Sequence, residues 1–123
     1  MEVKLDKWFR PNIDKEVLRE LTKKSDIKGL VHVGVYFSLL SIVGYLAYLT
    51  WGTWWSVFWF YIYGNIFCFC NPIWHETGHK TAFKTKFLNE IFYYISSYMA
   101  YFEPTRWRYT HFVHHGNTYS TKN

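Results

Sequence analysis

Between Lys28 and His75 the chain runs through 46 residues without one Asp, Glu, Lys or Arg. A charge at the centre of a bilayer costs about 2.5–3.5 kcal/mol on insertion scales, so lipid selects such runs. A hydrocarbon core of about 30 Å takes roughly 20 helical residues, and this run is long enough for two spans. They are expected at about 29–50 and 54–71, with Trp51-Gly52-Thr53 turning the chain between them.

The flanks set the expected orientation. All 14 Lys and Arg lie outside the run, eight before it and six after it. Two spans return the chain to its starting side, so both basic flanks are expected on the cytosolic face. Trp51, Trp54 and Trp55 then fall at the opposite interface, where aromatic belts form. A net charge of +5 placed beside spans reads as contact with anionic headgroups, not with nucleic acid. Residues 1–28 are charged throughout and lack the apolar core of a cleavable signal, so the first span is expected to serve as its own insertion signal. Cys68 and Cys70 are too close in sequence for a disulfide in a reducing compartment, and they read as small buried apolar residues.

Residues 12–24 carry Ile13, Val17, Leu18 and Leu21 on one face, an amphipathic helix that Asn12 can cap. Ser25 offers the cap for the first span. Asn65, at membrane depth in the second, is expected to bond a neighbouring helix. Pro72 is expected to bend the chain after the second span. Residues 87–102 are apolar and aromatic, but Asn89, Glu90, Ser96 and Ser97 interrupt them, and 16 residues are too few for a comfortable span. An interfacial or re-entrant helix fits them better. Pro104 suits the first turn of a further helix with Glu103 near its positive end, running to His115 with Gly116 as a stop.

Five of six histidines fall in two groups. His75 and His79 are spaced i, i+4; His111, His114 and His115 are spaced i, i+3, i+4. On a helix either spacing puts the imidazoles on one face, able to converge on an ion, and imidazole sets suit zinc, copper or iron. His32, near the start of the first span, belongs to neither group and reads as an interfacial or hydrogen-bonding residue. By itself His75-Glu76-Thr77-Gly78-His79 also matches H-E-x-x-H, in which Glu76 is the general base of a zinc intramembrane protease. That reading leaves His111, His114 and His115 without a task. Glu76 can instead orient a ligating histidine. Trp107 and Arg108, one turn before His111, read as packing beneath the site.

H-x-x-x-H at 75–79 followed by H-x-x-H-H at 111–115 resembles the first two histidine boxes of the membrane fatty acid desaturases, a superfamily that also contains alkane and lipid hydroxylases. The resemblance spans about residues 25–118. It implies an all-α integral membrane fold, a transmembrane helical hairpin followed by cytosolic or interfacial helices carrying the boxes. It also implies a non-haem diiron centre held by His75, His79, His111, His114 and His115, with dioxygen as co-substrate and an acyl lipid as substrate. Electrons are implied to come from a ferredoxin, rubredoxin or cytochrome b5-type donor. The family's third box, beyond another pair of spans, has no counterpart here. The chain is therefore expected to be an N-terminal fragment or truncated product, inactive alone. A hydroxylase of the same superfamily, a zinc protease, and a metal-binding or vestigial fragment without catalysis stay open as alternatives.

Overall fold

A computed structural model describes residues 12–117. The described residues form six helices and no strand: α1 Lys15–Leu21, α2 Asp26–Leu49, α3 Trp54–Cys68, α4 Cys70–Gly78, α5 Lys86–Met99 and α6 Pro104–Asn117. The all-helical fold follows the sequence reading.

α2 is 24 residues long, about 36 Å at the α-helical rise, and begins where Ser25 Oγ accepts from the Lys28 amide. Its buried residues, Gly29, Val33, Tyr36, Leu40, Val43 and Ala47, form one stripe at helical spacing. The remaining faces carry Leu30, Val31, Val35, Leu39, Ile42 and Leu49, all exposed. A helix apolar all round with only a narrow stripe packed is what a lipid environment tolerates and water does not. Among the described residues, the segment Lys15–Leu49, which contains α2, is the one long and apolar enough to cross a membrane.

The second apolar segment, 54–71, is not one helix. α3 ends at Cys68, Phe69 is the junction, and α4 starts at Cys70. Pro72 explains the break, because it has no N–H to bond the Cys68 carbonyl four residues back. At 15 residues α3 spans about 22 Å, less than a full hydrocarbon core. α2 and α3 pack antiparallel across the turn at Gly52 (φ +80°). The Tyr36 hydroxyl reaches the Phe67 carbonyl at 3.2 Å, and a Cβ on Gly44 would stand 3.2 Å from the Tyr63 ring.

The core lies where α2, α4 and α5 meet, built on Val33, Tyr36, Leu40, Cys70, Ile73 and Phe83. Phe83 comes from the segment between α4 and α5, and the buried Asn89 holds that segment in shape. Its amide nitrogen donates to the carbonyls of Phe83 and Thr85, and its oxygen accepts from the Phe83 N–H. Asp26 ties the same segment to α2, accepting from the Thr85 amide and hydroxyl, each at 2.8 Å.

Several local expectations change. α1 is capped by Asp14, whose carboxylate accepts from Glu16 N, not by Asn12, and the helix is confined to Lys15–Leu21. Asn65 bonds the Tyr61 carbonyl of its own helix at 2.7 Å, since a carbonyl one turn back is nearer than any other helix. Gly116 does not stop α6, which continues to Asn117. Cys70 is buried as expected, whereas Cys68 faces outward. Ser25, Pro72, Glu103 and Pro104 act where the sequence put them.

Candidate metal centre

Box one is carried by the end of α4. His75 lies in the helix and His79 is its C-cap, one turn on. The helix ends in a Schellman motif, with Thr81 N bonding the Glu76 carbonyl and Lys80 N the Thr77 carbonyl. Lys80 takes the left-handed position (φ 60°) that glycine usually fills. The other face of α4 is sealed into the core through Ile73, Trp74 and Thr77, the last with its hydroxyl donating to the Ile73 carbonyl.

Box two rides on α6, which has no buried residue of its own. Glu103 caps it, accepting from Thr105 N and Arg106 N. Trp107 sets its orientation. The indole packs edge-on against Trp74 (centroids 3.9 Å apart) and stacks on the His111 ring (4.3 Å, 18° between planes). A Cβ on Gly78 would come within 2.9 Å of Trp107 and 3.0 Å of Tyr93, so the glycine inside H-E-x-G-H is the seat of this packing.

The result is convergence across 32 residues of sequence. His111 Nε2 lies 2.9 Å from His79 Nε2 and 2.9 Å from His115 Nε2. Donor atoms of His75, His79, His111 and His115 all lie within 4.8 Å of one another, with three of the rings half-buried and His115 exposed. Burial first, then repulsion from His75, His115, His79 and His114, pushes His111 down to about 4. Burial, followed by His75 and His115, likewise lowers His79, with Glu76 opposing. Such imidazoles stay neutral at pH 7, the form that binds metal.

This donor set fits an ion. Three ring nitrogens crowd one point where a neutral imidazole nitrogen can serve only one hydrogen bond, so hydrogen bonding alone cannot satisfy them. Metal–imidazole bonds of about 2.1 Å set neighbouring ligand nitrogens roughly 3–4 Å apart, and the donors here lie within 4.8 Å of one another with two pairs at 2.9 Å. Imidazole by itself leaves zinc, copper and iron open.

The other sequence candidates fall as follows. His114 is on the same helix, with its ring centroid 6.2 Å from His111 and 6.0 Å from His115, and it is not one of the four converging donors. At about 100° per residue it points roughly 60° to one side of His111, while His115 points about 40° to the other. Glu76 is exposed, and its carboxylate accepts from the Thr81 hydroxyl at 2.8 Å. It stands outside the converging group. His32 is also outside it, lining a 250 Å³ cavity on the α2 side of α4 with Lys28 and Ile73. Residue spacing did not single out Gly78, Tyr93 or Glu90, which hold the two box helices together. A glycine within a helical turn was the one available signal.

No curated protein and no solved structure matches this chain. A family model does: that of the fatty acid desaturases, over residues 49–123, which includes both histidine groups and α3 to α6. Members of that family are membrane-associated lipid oxidoreductases whose centres are generally diiron. With more than half of its length matched, and with the paired boxes folded onto one point, the chain belongs to the fatty acid desaturase family.

Proposed function

We propose that this chain forms the box-one and box-two part of a non-haem diiron oxidoreductase acting on acyl lipids at the cytosolic face of a membrane. The observation that carries the reading is the meeting of His75 and His79 with His111 and His115 within 4.8 Å. Those four residues would hold iron, and His114, beside them on α6, would serve a second ion. Bound there, iron would activate dioxygen, the oxidant that removal of hydrogen from an unactivated C–H bond requires. The protein's part is to keep His79 and His111 neutral by burial and to fix the direction of the His111 ring through Trp107. It also offers apolar surface at Phe112 and Val113 beside the ligands, where an acyl chain can lie. In this proposal α2 and α3 cross the bilayer as a hairpin, α5 lies in the interface, and further ligands come from a third histidine cluster. A ferredoxin, rubredoxin or cytochrome b5-type donor supplies electrons.

The zinc protease alternative fits less well. Its general base would be Glu76, which is turned to Thr81, while His111 occupies the middle of the cluster. Expression of the complete reading frame with an electron donor, followed by metal analysis and lipid profiling, tests the choice. Iron with new double bonds supports a desaturase, and iron with new alcohols a hydroxylase. Zinc with unchanged lipids overturns both. Sidedness is tested by thiol labelling of Lys84→Cys and Tyr109→Cys, both exposed sites. Modification from opposite sides would separate the boxes and sink the shared centre.

A further inference from the structure

Glu90, on α5, is none of the expected ligands, yet it joins the two segments that carry them. Its carboxylate accepts Lys80 Nζ at 3.1 Å and the Arg108 guanidinium through Nη1 and Nη2 at 3.1–3.2 Å. Lys80 directly follows His79. Arg108 sits one turn before His111, on the same side of α6. We propose that Glu90 is a positioning residue that sets the distance and rotation between the two histidine boxes, an inference that rests on the four imidazoles being metal ligands.

Three further observations support the clamp. Lys80 holds a left-handed backbone that glycine adopts more readily, so the position carries lysine against its conformational preference. Its carbonyl is in turn pinned by Lys24 Nζ at 2.7 Å. The Arg108 guanidinium lies 4.1 Å from the centre of the Tyr93 ring, and the buried Tyr93 hydroxyl donates to the Pro104 carbonyl at the start of α6. Finally, Arg108 Nε is buried with no hydrogen-bond partner among the described residues, and Glu90 supplies the compensating charge for a largely enclosed guanidinium. α6 has no buried residue, so its placement depends on these side chains and on Trp107.

The test uses the full chain in detergent, Co(II) as the probe ion, and thermal unfolding in parallel. Glu90→Gln is expected to weaken Co(II) binding about tenfold and to alter the Co(II) absorption spectrum, as loss of an orienting partner typically does. Glu90→Asp should recover part of the affinity. Asp26→Asn is the control: it removes the tie between α2 and Thr85, the N-cap of α5, and should lower the melting temperature while leaving Co(II) affinity and spectrum alone. Unchanged binding in Glu90→Gln overturns the inference. So does loss of affinity in both variants in proportion to their melting temperatures, which would mark a general stability effect. Failure of the parent chain to bind Co(II) at all would instead overturn the metal reading itself, and the clamp with it.

Discussion

α4 and α6 bring two histidines each to one point, but they are held in opposite ways. α4 is wedged into the core, with Cys70, Ile73, Trp74, Thr77 and Gly78 buried and its last turn closed by a Schellman motif. α6 buries nothing of its own and leans on one indole, one guanidinium and a cap. Box one is therefore fixed by the same packing that makes the fold. Box two is fixed by a few directional contacts and is the half whose geometry point changes can move without unfolding the protein. A metal site that closes across such a pair depends on residues that never touch the ion.

The sharpest test of this contrast removes the residue at the meeting point. His111→Ala should abolish metal binding, as judged by metal content of purified protein, because it deletes the nitrogen that both His79 and His115 approach. His114→Ala should cost less, because its ring stands apart from the four. Equal losses would mean that α6 rotates on metal binding and that its present orientation is not the bound one.

Next in size is Gly78→Ala. The added Cβ meets Trp107 and Tyr93 at about van der Waals overlap, and overpacking of this kind costs typically 1–3 kcal/mol. The strain falls on α6, the looser partner, so metal affinity should drop along with melting temperature. If stability falls but affinity holds, α6 is more firmly anchored than its contacts indicate.

Acid should reveal the same asymmetry. His111 titrates near 4 in the metal-free fold and near 6.5 when unfolded, so the unfolded chain takes up the proton first. The stability that rests on neutral His111 in the metal-free protein is therefore fully present above about pH 6.5 and is lost as pH falls toward about 4. His111→Leu should flatten that decline in thermal unfolding curves. Glu90 adds its own loss lower down: burial opposes its ionisation, but hydrogen bonds from Lys80 and Arg108 prevail and hold it below the usual carboxylate value. Its contribution is present above the unfolded carboxylate pKa and vanishes as pH drops through the folded one.

The smallest expected effect is at Gly34, on the outer face of α2. A Cβ there meets nothing within 4 Å, and alanine in a helix interior is favoured over glycine by up to about 1 kcal/mol. Gly34→Ala should therefore raise the melting temperature slightly without changing metal affinity. A destabilised variant would mean that another helix covers that face of α2.

Much of this was written locally. The uncharged run fixes long apolar helices, Ser25 and Glu103 fix helix starts, and Pro72 fixes a break, each because its cause lies within a turn of its effect. The i, i+4 spacings likewise decide that each box shares a face. Sequence alone could not decide that Asn65 turns to its own backbone or that Asn89 is buried to shape the loop at Phe83. Those outcomes depend on which neighbours arrive. The same holds for the centre. Periodicity placed His111, His114 and His115 on one face of α6, but the rotation of that helix about its axis chooses among them. Trp107 seated on Gly78 and Trp74, with Arg108 drawn to Glu90, turns His111 and His115 inward and leaves His114 at the edge. Ligand spacing is a property of one helix; ligand convergence is a property of two helices and of the side chains that hold them at a set angle.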